Sequence, residues 1–108
     1  MTIAPFTTQL RASRAPLRLG TGADTISFRV EAADLWDAVV VIAAPSTPIS
    51  EVKRAAIEAL LPNAELGEDF VLKLRGWEML DQHEPIRDAG VMDGSILLLA
   101  RRRRRPVR

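Results

Sequence analysis

From Thr25 onward the chain alternates. Ile26, Phe28 and Val30 are separated by Ser27, Arg29 and Glu31, the period-two pattern of a strand with one buried face. After the short turn Ala32-Ala33-Asp34-Leu35, residues Trp36 to Ala44 predict a second strand. Val39, Val41 and Ala43 share one of its faces, and Val40 and Ile42 share the other. Apolar residues on both sides mark a strand that is covered, or one that exposes a patch. So short a connection makes the pair a β-hairpin.

The period then changes. Pro45-Ser46-Thr47-Pro48 forms a strand-to-helix corner, with Thr47 suited to the N-cap and Pro48 to the first helical position, where a missing N–H costs nothing. The helix runs from about Pro48 to Leu61. Ile49, Val52, Ala56 and Leu60 recur on one stripe, while Glu51, Arg54 and Glu58 face water at pairing distance along the opposite side. Pro62-Asn63 stops it.

Residues 62–69 read as an acidic loop with Glu65, Glu68 and Asp69. Phe70, Leu72 and Leu74 then alternate as a third strand, Gly76 turns the chain, and Trp77 to Leu80 is a short fourth piece. Asp81 to Val91 is irregular, anchored by Ile86 and Val91. The turn Asp93-Gly94-Ser95 leads into a last strand from Ile96 to Ala100. The order is that of an α+β domain with four or five strands and one helix, and nothing marks a second domain.

Composition narrows the function classes. The 108 residues fit one domain with a real core, and no apolar run approaches the ~20 residues of a membrane span. The absence of cysteine excludes disulfides, thiolate metal sites and cysteine nucleophiles. His83 is the single histidine and sits in a polar loop beside Glu84 and Pro85. Asp81 and Glu84 lie close enough in sequence to suggest an acid–base pair, but nothing implies a cleft or a raised pKa, so they read as a solvated loop. No phosphate-binding loop, dinucleotide glycine set or zinc spacing is present. The expectation is a protein that is not an enzyme and needs no cofactor or metal.

Charge changes the picture most. Residues 1–23 carry three arginines and no acid, residues 24–100 carry all 14 acids against six bases, and residues 101–108 carry six arginines. The formal net charge of +1 therefore conceals segments of +3, −8 and +6. The first 24 residues lack periodicity and read as a disordered basic arm. Their Arg, Ser and Thr content resembles an organelle-targeting leader, although a solvated arm or a start placed too early is the plainer reading. At the other end, Arg101, Arg102, Arg103, Arg104, Arg105 and Arg108 form a flexible cationic tail, residues 101–108, after the domain of residues 25–100. Phosphates, an anionic membrane surface or an acidic protein would each attract it, and the plainer reading is a solubilising or non-functional tail that extends the last strand and pairs with the body's own acids. The acidic body and the lack of an aromatic platform weigh against nucleic acid.

Three stretches carry a family likeness. P-x-x-P-I-S-E-V-K (45–53), L-x-L-R-G-W-x-M-L-D (72–81) and I-R-D-A-G-V-M-D-G-S-I-L-L-L (86–99) resemble, in order and spacing, the ubiquitin-like β-grasp family. G-V-x-D-G-S-x-L-x-L is similar to its bacterial branch, nearest to the small YukD-like proteins of type VII secretion. The resemblance implies a mixed sheet packed on one helix and a role in assembly or protein interaction, in the cytoplasm or at the inner face of its membrane. It also implies an ion pair between Lys53 and Asp81. Arg104 and Arg105 stand where conjugated modifiers and sulfur carriers of this fold need Gly-Gly, so C-terminal attachment chemistry is disfavoured. The family's recognition patch would survive in part, through Leu97 and Leu99 on the outward face of the last strand with Leu35 or Trp36 in the first turn. Lys73 replaces an apolar residue of that patch. Trp36 and Trp77 are candidate interface anchors. These residues and the arginine tail are the expected contact sites.

Overall fold

Alternation in the strands and a single stripe in the helix build one shared core. The computed structural model of the chain describes residues 15–33, 35–62 and 70–101. Strands β1 (Leu17–Leu19), β2 (Ile26–Ala32), β3 (Asp37–Ala43), β4 (Phe70–Leu74), β5 (Trp77–Glu78) and β6 (Ile96–Arg101) form a mixed sheet in the order β1-β3-β2-β6-β4-β5. Helix α1 (Ile49–Leu60) packs on one face of it. Phe28, Val30, Val39 and Val41 from the hairpin meet Ile49, Val52, Ala56 and Leu60 of the helix, together with Phe70 and Leu72 of β4. Ile86 and Val91 anchor the irregular segment in the same core. Fully burying such a side chain contributes about 1.5–3 kcal/mol.

The parallel pair β2–β6 lies at the centre of the sheet, with Arg29 opposite Ile96 and Ala32 opposite Leu99. The Asp93-Gly94-Ser95 turn is bolted to the start of β2. The Ser27 amide donates to Asp93 Oδ1 at 2.8 Å, the Gly94 amide to the Ser27 carbonyl at 2.8 Å, and the Arg29 amide to the Ser95 carbonyl at 2.9 Å. The β4–β5 hairpin closes through Arg75 and Gly76, both at positive φ (54° and 84°), a two-residue turn whose twist matches its strands.

Four expectations are corrected. The sheet has six strands because part of the supposed arm, Leu17–Leu19, pairs parallel with Val41–Ala43 of β3. Leu17 and Leu19 pack against the core, which supplies the burial a disordered segment would lack. Thr47 does not cap the helix. Pro48 takes that position, and the carbonyls of Glu84 and Gln82 accept the Ile49 and Ser50 amides at 3.0 and 2.9 Å. Lys53 donates to the Phe70 carbonyl at 3.1 Å instead of pairing with Asp81, whose Oδ1 accepts the His83 amide at 3.0 Å. Leu97 and Leu99 point inward; the pairing of β6 with β2 puts them in phase with Val30 and Ala32. The helix-surface pairs of Arg54 with Glu51 (3.9 Å) and Glu58 (3.7 Å) form as the spacing implies. Arg102 to Arg105, Arg108, the first 14 residues and the acidic residues Glu65, Glu68 and Asp69 lie outside the described residues.

Candidate interaction surface

Strand residues that face away from α1 line the opposite side of the sheet, where Val71 of β4 is buried and residues of β3 and β6 are exposed. Pairing register sets the rows there. Val40, Arg29 and Ile96 form one row across β3, β2 and β6, and Ala38, Glu31, Leu98, Lys73 and Glu78 form the next, extending to β5. Leu97 and Leu99 are 0% and 2% exposed, whereas Ile96 and Leu98 are 52% and 37% exposed. The apolar residues offered to solvent by β6 are therefore Ile96 and Leu98. Val40 joins them from β3, and the Arg29–Glu31 pair, 3.7 Å apart, lies along β2 between these strands.

The β2–β3 turn supplies the rim. Leu35 is exposed, and Trp36 is 91% exposed with φ at 53°. A bulky residue in the left-handed region stores about 1–2 kcal/mol of backbone strain. Trp36 and Leu98 line a cavity of about 210 Å³ together with Glu31, Asp37 and Ala38. The turn thus presents a wide aromatic side chain at the edge of the apolar rows, fixed by a conformation the residue does not favour.

The expected site residues divide. Trp36 and Leu35 sit at this surface, and Lys73 is cross-strand from Leu98, so the lysine borders the patch instead of filling it. Trp77 lies on the edge strand β5, beyond β4, and lines a separate cleft with Leu80. Arg101 ends β6 with its guanidinium 5.6 Å from the centre of the Phe70 ring. Val40, Ile96 and Leu98 are the surface residues that sequence reasoning missed; the signal for Val40 was present in the two-sided apolar pattern of its strand. His83 is exposed. Among the described residues no cluster of three or more His, Asp or Glu is placed to hold a metal ion, and no helix is long and apolar enough to cross a membrane.

Solved structures share this architecture. Ubiquitin of Caldiarchaeum subterraneum matches with a TM-score of 0.58 at 20% identity, over 74% of this chain and 96% of that one. The ubiquitin-like domain of Plasmodium falciparum Dsk2 matches with a TM-score of 0.60 at 18% identity, over 73% and 100% of the two chains. The C-terminal ubiquitin-like domain of mouse tubulin-specific chaperone e matches with a TM-score of 0.58 at 13% identity, over 82% and 97%. No protein-family model and no curated protein sequence matches the chain. The fold is the ubiquitin-like β-grasp. At these identities the likeness is one of architecture.

Proposed function

We propose that the chain is a ubiquitin-like protein-interaction module, not conjugated and not catalytic, that binds a protein partner through the uncovered face of its sheet. The observation that carries this reading is the set Val40, Ile96 and Leu98 exposed in adjacent rows, with Trp36 held at positive φ on their rim. Exposed apolar side chains flanking the Arg29–Glu31 pair offer a mixed contact surface, tryptophan is enriched at interface hot spots, and strain concentrates where a residue is held for function. The finer role is that of an adaptor or assembly component of a larger machine in the bacterial cytoplasm. The likeness of G-V-x-D-G-S-x-L-x-L to secretion-associated members supports it. Affinity capture from source cells tests the reading with wild type, Leu98→Asp and Leu80→Asp in parallel. A partner retained by wild type and Leu80→Asp but lost with Leu98→Asp supports it; a partner indifferent to Leu98→Asp refutes it.

A further inference from the structure

We propose that the cleft between the β4–β5 hairpin and the loop that follows it receives the arginine run of a second copy of this chain. The cleft has a volume of about 450 Å³. Its apolar lining includes Trp77 and Leu80, which are 79% and 74% exposed, and its charged lining is Arg75, Glu78, Asp81 and Glu84. Three carboxylates face one guanidinium. Glu78 stands cross-strand from Lys73, which leaves Asp81 and Glu84 as the carboxylates available to a ligand. Neither forms an ion pair with a described residue.

The site is held ready. The two-residue turn at Arg75 and Gly76 fixes the hairpin, and the Met79 amide ties its far side to the Leu72 carbonyl at 2.8 Å. Asp81 is fixed by the His83 amide, while the backbone of Glu84 caps α1 through Ile49. A preorganised cleft of this kind spends little ordering entropy on binding. An exposed indole beside carboxylates suits a guanidinium, which stacks on the ring face and forks to a carboxylate.

The chain itself holds such a ligand. Its residues 101–108 carry six arginines against a body of net −8. Arg101 pairs with Phe70 at one end of β4, and Trp77 pairs with Leu74 at the other. The two are separated by about 13 Å along β4 and about 10 Å across two strand spacings. Arg102 to Arg105, fully extended, advance only about 14 Å. Strand β6 leaves the sheet at the Phe70 end of β4, away from the cleft at the Leu74 end, so a chain must reverse direction to reach its own cleft, whereas a neighbour's arginine run enters without that turn. The contact is head-to-tail, and therefore open to chain growth and sensitive to salt.

Sedimentation of the full chain across a concentration series tests this. Mass should rise with concentration at low salt and return to that of the monomer at high salt. Two variants, one with Asp81→Asn and Glu84→Gln and one with Arg102 to Arg105 each changed to Ser, should each weaken association at least about tenfold, equivalent to ~1.4 kcal/mol. Mixed together they should form a 1:1 dimer and nothing larger, because each keeps one half of the contact. Leu98→Asp should leave the association unchanged, which separates this contact from the sheet-face reading. A wild-type chain that stays monomeric at every concentration, or an assembly indifferent to both variants, overturns the proposal. So does a monomer whose Trp77 fluorescence responds to the arginine substitutions, since that places the tail in the cleft of its own molecule. Matching circular dichroism of both variants and wild type confirms that folding is retained.

Discussion

A Cβ built on Gly20 would lie 2.9 Å from Thr47 Oγ1 and 2.9 Å from the Ala44 Cβ, so the loop after β1 passes directly against the strand-to-helix corner. Gly20 also has φ at 75°, where a side chain is strained regardless of space. Gly20→Ala is therefore expected to cost about 1–3 kcal/mol, from the sum of strain and the forced shift of two buried neighbours. Urea denaturation with an unchanged m-value measures it. An unaltered midpoint would show that the loop is free to move away.

Thr47 gives the opposite expectation. Its side chain is buried and its hydroxyl has no hydrogen-bond partner among the described residues. Thr47→Val removes an unsatisfied polar atom while keeping the shape, and is expected to stabilise by about 1 kcal/mol. A raised thermal midpoint is the expected readout. A fall would mean that the hydroxyl is solvated by a trapped water.

The parity of β6 predicts a sharp alternation along one strand. Leu97→Ala and Leu99→Ala open cavities in the core and are expected to cost about 2–5 kcal/mol each. Leu98→Ala, on the uncovered face, is expected to cost under about 1 kcal/mol while weakening partner capture. Equal losses at Leu97 and Leu98 would contradict the register with β2.

Trp36 separates stability from binding. Asparagine tolerates the left-handed region far better than tryptophan, so Trp36→Asn is expected to keep or raise the thermal midpoint by relieving about 1 kcal/mol of strain. The same variant should bind its partner more weakly, at least about tenfold, through loss of the aromatic anchor. Unfolding and capture assays on one preparation measure both.

Where local pattern and tertiary structure demanded the same thing, the sequence was readable. The stripe Ile49, Val52, Ala56 and Leu60 is buried as its spacing implies, and the hairpin strands alternate as written. The last strand was not readable from itself. Ile96 to Ala100 is five apolar residues without a period, and its nearest in-phase polar residue, Arg101, shares the parity of the inward-facing leucines. Only pairing with β2 decides which leucines are inside. Leu17–Leu19 failed for a related reason: three residues between a proline and a glycine become a strand only because β3 has an edge to receive them. The helix cap supplied by Gln82 and Glu84 joins segments more than thirty residues apart, beyond the reach of any local capping rule. The candidate surface inherited the parity error, and of its apolar residues the sequence placed only Leu35 and Trp36 of the first turn on it.

The position of β6 between β2 and β4 has a consequence for how the molecule comes into being. The hairpin made first and the hairpin made later share no strand pairing until Ile96 to Arg101 slides between them. Such long-range closure makes folding a late, cooperative event rather than a progressive one. Until that strand is in place the two ribbons are unjoined, and the outer face of the sheet is incomplete. A chain cut before Ile96 should show neither the cooperative melt nor the near-ultraviolet signature of the intact protein.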